Sequence, residues 1–406
     1  MTREVVVLSG VRTAIGGYGG SLKDVPPCEL GAICVREAVR RAGVKPADVG
    51  HVVFGNVIHT RPEDMYMARV VGMNAGIPKE TPAYTVNRLC GTGVQAIVSA
   101  AQAVQTGEAR VALAGGAESM SRGPYWIPNA RWGARMGEAK MVDPVMGGLT
   151  DPFSSVLMGV TAENLAERMS ISREDQDAFA LASHQKALAA QKAGEFKDEI
   201  TPYEVVSHQP DLGGNTIRLK KLLVEQDEGP RPDTSAEGLA KLRPVFRNGQ
   251  FGGTVTAGNS SQMSDGAGAV LLASGQAVKD YGLTPLARFV SFSVAGVRPE
   301  VMGIGPIAAI PKALKQAGLS KDQLDWIELN EAFAAQALAV IQDSELDPAK
   351  VNPLGGAIAL GHPLGATGAI RTATLIHGLR RRKQKYGMVT MCIGTGMGAA
   401  GIFEAL

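Results

Sequence analysis

Asn87-Arg88-Leu89-Cys90-Gly91-Thr92-Gly93-Val94-Gln95-Ala96-Ile97-Val98-Ser99-Ala100-Ala101 is the stretch on which the reading of the fold turns. A cysteine among glycines separates an apolar segment from residues 91–106, whose small side chains predict a helix buried on most sides. Working outward, residues 5–8, 51–58 and 110–114 read as apolar strands, and residues 29–42 as a helix with Leu30, Ile33, Cys34, Ala38 and Ala42 at helical spacing. Such alternation of strand and helix predicts an α/β sheet.

The pattern returns near the other end. Residues 286–294 and 326–329 read as strands and 306–317 as a helix. Asn56 and Asn330 each end a strand; Gly93 and Gly368 each open a helix at nearly the same separation. Each helix then leads to a short apolar strand, 111–114 in one case and 388–391 in the other. Two duplicated halves account for this. Between them, residues 121–250 bring aromatics and prolines (Pro124-Tyr125-Trp126-Ile127-Pro128, Arg131-Trp132) and a charged helical stretch at 161–192. The expected organisation is an N-terminal half at 1–120, an inserted loop subdomain at 121–250, completion of the first half at 251–275, and a C-terminal half at 276–406.

At 406 residues the chain exceeds one ordinary core. With 45% hydrophobic residues, 20% charged residues and a net charge of +2, neither nucleic acid nor a membrane is an expected partner. Residues 1–12 lack a signal-peptide core, and no stretch approaches the ~20 apolar residues of a membrane helix. The four cysteines, Cys28, Cys34, Cys90 and Cys392, have neither metal-ligand spacing nor the density of a disulfide framework. A reducing, cytoplasmic setting and no metal are expected.

Four stretches carry chemistry. Cys90 lies where a helix N-terminus begins, and the free N–H groups and positive dipole end there favour a thiolate; a buried structural cysteine is the plainer reading. His362 is set in Gly355-Gly356-Ala357-Ile358-Ala359-Leu360-Gly361-His362-Pro363-Leu364-Gly365, where glycines allow a close backbone approach. Such a histidine can take a proton from a cysteine and hydrogen-bond a thioester oxygen. Cys392 ends an apolar run and enters Ile393-Gly394-Thr395-Gly396-Met397-Gly398. Residues 396–401 also fit G-x-G-x-x-G, but the five residues after them leave no room for the helix and strand of a dinucleotide site. Finally, Leu329-Asn330-Glu331-Ala332-Phe333 puts a polar pair at a strand end, where an N-cap is the plainer reading.

At these four places the chain resembles the thiolase family. The resemblance extends over essentially the whole length, including Met158-Gly159-Val160-Thr161-Ala162-Glu163-Asn164 and Gly253-Thr254-Val255-Thr256-Ala257-Gly258-Asn259-Ser260-Ser261. It implies a five-layered αβαβα core of two duplicated halves with an inserted loop subdomain. It also implies reversible, coenzyme A-dependent cleavage of 3-ketoacyl-CoA through an acyl-cysteine. On that resemblance Cys90 is the nucleophile, activated by His362, and Cys392 is the acid and base. His362 and a water held by Asn330 form one oxyanion site; the backbone N–H groups of Cys90 and Gly394 form the other. Arg231 matches a position at the nucleotide end of coenzyme A, while Met158, Ala257, Ser261 and Phe333 match the pantetheine and acyl tunnel. Coenzyme A is a co-substrate, and no cofactor is held permanently. A homodimer or homotetramer is implied, with the 125–132 region suited to a tetramer contact.

Within that resemblance, Leu157-Met158-Gly159 departs from the His-Met-Gly common in short-chain biosynthetic members, and Gly258-Asn259-Ser260-Ser261-Gln262 and Asn352-Pro353-Leu354-Gly355-Gly356 look more like degradative 3-ketoacyl-CoA thiolases. Residues 130–137 resemble β-ketothiolases accepting several chain lengths. The alternatives are a biosynthetic acetyl-CoA C-acetyltransferase, a decarboxylating condensing enzyme, which Cys392 argues against, and a non-catalytic acyl-CoA- or lipid-binding relative, which the intact set of four residues argues against.

Overall fold

A computed structural model describes residues 3–211, 216–247 and 252–406, so the expected boundary at 250/251 lies outside the described residues. Its central strand is β1 (Val5–Arg12), a valine-rich run buried along all its length. Further along come β2 (Gly16–Gly17), β3 (His51–Gly55), β4 (Ala83–Val86) and β5 (Val111–Ser119). A separate hairpin, β6 (Tyr203–Asp211) with β7 (Thr216–Val224), precedes β8 (Ser264–Ser274) and β9 (Ala287–Gly296). The last three are β10 (Trp326–Leu329), β11 (Tyr386–Ile393) and β12 (Met397–Ala405).

Strand order across the main sheet is β10-β11-β12-β9-β1-β8-β5-β3-β4, with β2 added to β8. The duplication read from sequence is written in this order. In one half β3 runs parallel to β5, and β5, β8 and β1 then alternate antiparallel. In the other β10 runs parallel to β11, and β11, β12 and β9 alternate antiparallel. The halves meet where Val6 and Val7 of β1 pair with Arg288 and Ala287 of β9.

Two helices, Thr92–Thr106 and Thr367–Arg381, pack on each other between the halves. Pro27–Ala42 and Met67–Asn74 cover one outer face, while Gly305–Ala317 and Ala334–Asp343 cover the other. The five layers are therefore helix, sheet, helix, sheet, helix. Contact between the central helices is close enough to require glycine. A Cβ on Gly93 would stand 2.6 Å from the backbone nitrogen of Ala369, and one on Gly368 would strike the backbone of Val94. The two glycines that marked the repeat are thus the point where its copies touch.

The region expected as an inserted loop subdomain, 121–250, also carries regular helices. Its helical stretch is two helices, Met158–Arg168 and Arg173–Ala193, broken where Ser170 takes a positive φ of 54°. Ser172 caps the second by accepting the Asp175 N–H at 3.0 Å. A buried ion network ties this region to β1. The Arg12 guanidinium forks onto Asp227 at 2.7 and 2.9 Å and donates through Nε to Glu199 at 2.6 Å. Removing one partner strands the others in an apolar interior, a change that typically costs about 3–5 kcal/mol. Of the glycine-rich 396–401 segment, all but the first residue lies within β12, which is incompatible with a phosphate-binding loop.

Candidate active site

Cys90 sits in a tight turn, Leu89–Gly91, between β4 and the Thr92–Thr106 helix. The Arg88 N–H donates to the Thr92 hydroxyl at 2.8 Å, and the Leu89 N–H to the Asn87 side chain at 2.9 Å. Between these anchors Leu89 is held at φ 48°, a left-handed conformation that a branched residue adopts only when its surroundings impose it. The sulfur is partly buried and packs near Ile58, Met120, Val145 and Leu364. Burial pushes its thiol up to about 11, while the N–H groups of Gly394 and of Cys90 itself pull the other way. The expectation of a resting thiolate is therefore corrected. Loss of hydration outweighs the helix end, and Cys90 rests as a thiol that needs a base.

Cys392 is the last residue but one of β11, fully buried, in a cluster with Met158, Ala162, Met302 and Phe333. Burial holds its thiol well above the usual range, and the neighbouring Cys90 adds to this. The turn after it contains a second non-glycine residue in the left-handed region, Thr395 at φ 68°. Gly394 lies against Leu89 and Met158, so both cysteine turns meet there.

His362 is 5% exposed, and burial, with the Arg371 charge second, pushes its imidazole down to about 3. The ring is neutral, and its tautomer follows from its partners. The Thr367 hydroxyl donates to the Pro363 carbonyl at 3.0 Å, so its oxygen accepts from His362 Nδ1–H at 2.6 Å. Nε2 then carries a lone pair and receives the Asn330 Nδ2–H at 3.3 Å. Asn330 is not an N-cap, since the next helix starts at Ala334 without a side-chain cap. Its Oδ1 is buried with no partner among the described residues, which suits an oxygen meant to hold a water. Glu331 is structural: it accepts from Ser183 at 2.7 Å, Asn352 at 2.8 Å and the Ile358 N–H at 3.2 Å, fastening this strand end to the glycine-rich segment before His362.

Two clefts lead to this cluster. The outer, about 320 Å³, is lined by His184, Arg231, Thr234, Ser235, Ala257 and Gln262. The inner, about 360 Å³, includes Met158, Ala257, Ser261, Phe333 and His362, and shares Ala257 and Gln262 with the outer one. All five residues singled out from sequence for coenzyme A contact therefore lie along one path. Arg231 is fixed in place, its N–H donating to His184 Nδ1 at 3.1 Å and its loop tied to Arg12 through Asp227.

Residues 5–276 match the thiolase N-terminal domain and residues 283–405 the thiolase C-terminal domain. The chain belongs to the thiolase family. This thiolase is 56% identical, over 406 residues and the full length of both chains, to beta-ketothiolase BktB of Cupriavidus necator. It superposes on the crystal structure of Bacillus anthracis acetyl-CoA acetyltransferase with a TM-score of 0.95 at 44% identity, covering 100% of this chain and 99% of that one. On human mitochondrial 3-ketoacyl-CoA thiolase in complex with CoA the TM-score is 0.94 at 47% identity, covering 100% and 98%.

Three residues of the site escaped the reading of the sequence. Thr367, which sets the His362 tautomer, is an ordinary helix-start threonine until the loop is folded. Ser264 donates its hydroxyl to the Gln262 carbonyl at 2.8 Å and accepts the His362 N–H at 3.2 Å. Glu118 was the one with a visible signal, an acidic residue near the end of the otherwise small and apolar β5. Among the described residues, no group of three or more histidine, cysteine, aspartate or glutamate side chains is placed to hold a metal ion, and no helix is long and apolar enough to cross a membrane.

Proposed function

We propose that this thiolase cleaves 3-ketoacyl-CoA by transfer of the acyl group first to Cys90 and then to coenzyme A. The observation that carries the reading is a pair of neighbouring cysteines beside a neutral His362–Asn330 pair, reached by a cleft that begins at Arg231. His362 Nε2 takes the Cys90 proton. The resulting thiolate and imidazolium attract each other strongly in a site with little water. The thiolate adds to the 3-keto carbon, and the N–H groups of Cys90 and Gly394 receive the oxyanion. Collapse breaks the bond between carbons 2 and 3, leaving an acyl-Cys90 thioester and the enolate of acetyl-CoA. Cys392, kept as a thiol by burial, gives that enolate its proton. The enolate oxygen is stabilised by His362, now a donor at Nε2, and by a water on Asn330. The Cys392 thiolate takes the proton of the coenzyme A thiol, whose sulfur attacks the acyl-cysteine; the Cys90 thiolate leaves and recovers its proton from His362, and the shortened acyl-CoA departs. Losing one oxyanion donor typically costs roughly 100- to 1,000-fold in rate.

An acyl chain longer than that of acetoacetyl-CoA is favoured by the apolar inner cleft, where Met120, Met146, Leu149, Leu157 and Leu364 stand around His362. The biosynthetic reading, two acetyl-CoA giving acetoacetyl-CoA, uses the same groups in reverse and is supported by the likeness to the Bacillus anthracis acetyltransferase. A homo-oligomer and a cytoplasmic setting complete the proposal. The four free cysteines suit a reducing compartment, and Trp132, 82% exposed, lies in the 125–132 segment proposed for a tetramer contact. The deciding experiment is coenzyme A-dependent thiolysis of 3-ketoacyl-CoA from four to sixteen carbons. Rates equal or higher on the longer chains support the degradative reading. Cleavage of acetoacetyl-CoA alone supports the biosynthetic one, and no cleavage by folded protein overturns both.

A further inference from the structure

The duplication gives Cys392 a counterpart. Leu329 pairs with Thr390 as Gly55 pairs with Gly116, and an asparagine follows each, Asn330 and Asn56. Two residues beyond the paired position stands Cys392 in one half and Glu118 in the other. Three residues before the glycine of the helix crossing stands Cys90 in one half and Gly365 in the other. Where the second half sets Cys392 beside Cys90, the first therefore sets Glu118 against Gly365.

Glu118 is fully buried, and its carboxylate is saturated. Oε1 accepts from Asn56 Nδ2 and from the Ile58 N–H, both at 2.9 Å. Oε2 accepts from the Val57 N–H at 3.1 Å and the Gly365 N–H at 2.8 Å. With two donors on each oxygen, a proton on either one must displace a bond. Gly365 belongs to the loop that carries His362 and ends at Thr367, the residue fixing the His362 ring. We propose that Glu118 is a positioning residue whose carboxylate clamps this loop to residues 56–58 and so holds the His362 ring against the nucleophile. The proposal rests on the assignment of Cys90 and His362 as nucleophile and base.

The clamp is sensitive to pH. Burial pushes the Glu118 carboxyl up to about 7, against the pull of the Ile58, Gly365 and Val57 N–H groups, and the Asp64 charge pushes the same way as burial. The titratable groups facing it are Asp64 from the Pro62–Tyr66 turn and Cys90 from the Leu89–Gly91 turn. As pH falls through 7, Glu118 takes a proton and one of the four donors is released.

The test combines hydrogen exchange with kinetics. In the wild-type protein, peptides covering 56–58 and 361–367 are followed at pH 8 and pH 6, with the intrinsic exchange rate corrected for. Protection of both falls at pH 6 if Glu118 is the clamp. Glu118→Gln lowers protection at both pH values and lowers kcat for thiolysis about 10- to 100-fold, the scale of a small misplacement of a reacting group. KM for coenzyme A stays within about twofold, and the acid limb of kcat near pH 7 disappears. Glu118→Asp, which keeps the charge but shortens the reach, retains the limb with an intermediate kcat. Wild-type kcat and limb in Glu118→Gln overturn the proposal, as does wild-type protection that does not change with pH. The wild-type exchange decides the matter even if Glu118→Gln does not fold. Absence of thiolysis by the wild type would sink the assigned reaction instead, leaving the clamp to the exchange data.

Discussion

Burial keeps both Cys392 and His362 uncharged, and the two need this for opposite reasons. Cys392 has to hold a proton until an enolate requires it; His362 has to keep Nε2 bare until Cys90 gives up its own. Cys392→Ala is therefore expected to abolish exchange of the acetyl-CoA methyl protons with solvent. Deuterium incorporation at the wild-type rate in that variant would remove Cys392 as the acid and base. For His362 the consequence reaches stability. Its imidazole is pushed down to about 3 in the fold but titrates near 6.5 when unfolded. Above 6.5 neither state is protonated. As pH falls from 6.5 toward 3 the unfolded chain takes up the proton alone, and stability is lost. At pH 5 the loss is roughly 2 kcal/mol, at 1.36 kcal/mol per unit. His362→Asn escapes it, so the variant gains about that much on the wild type between pH 8 and pH 5 in urea titrations. A constant difference across that range would mean the ring is not held neutral.

Elements differed in how far they could be read in advance. Residues 326–329 are a strand to the residue, and the helix expected at 91–106 spans Thr92–Thr106, because strong apolar patterns have few alternatives. β1 was expected to stop at residue 8 but runs to Arg12. The polar atoms of the added residues are satisfied inside, Ser9 on the Ala38 carbonyl at 2.7 Å and Arg12 on its two acids. Cys90, His362, Asn330 and Cys392 could be singled out because glycines and strand ends mark them, and the structure sets Asn330 against His362 and Cys392 near Cys90; their roles rest on the resemblance to thiolases. Thr367 gave no signal and Glu118 only that of an acid in an apolar strand, because their roles exist only once strand register and the helix crossing bring distant segments together. Cys90's raised thiol has the same origin, since burial is a property of the assembled layers. The crossing itself is testable. A Cβ at Gly93 meets backbone rather than a side chain that can swing away, so Gly93→Ala is expected to destabilise by about 1–3 kcal/mol, the usual scale of overpacking. Unchanged stability in chemical denaturation would mean the central helices are further apart than this.

At the scale of the molecule the two halves end differently. The β10 edge is partly covered, because Val351 bridges to Ile327. The β4 edge of the other half has no strand beyond it among the described residues, and Tyr84 on it is 45% exposed. Met65, Tyr66 and Met73, also exposed, lie in the neighbouring 62–74 segment that packs on β4. An open strand edge flanked by apolar side chains is a template for pairing, and monomeric proteins commonly blunt such edges with charge or proline. Nothing of that kind interrupts Ala83-Tyr84-Thr85-Val86. A second copy of the chain, pairing β4 to β4, would satisfy the free backbone groups and cover the tyrosines and methionines together. The Cys90 turn follows β4 directly, so such a partner would also brace the strained Leu89. On the proposed homo-oligomer, with β4 paired to β4, Tyr84→Lys is expected to shift the protein from dimer toward monomer in sedimentation velocity at micromolar concentration. Thiolysis should fall with the dimer fraction and recover as protein concentration rises. A wild-type protein that sediments as a monomer, or a Tyr84→Lys variant that dimerises as well as the wild type, would place the interface elsewhere.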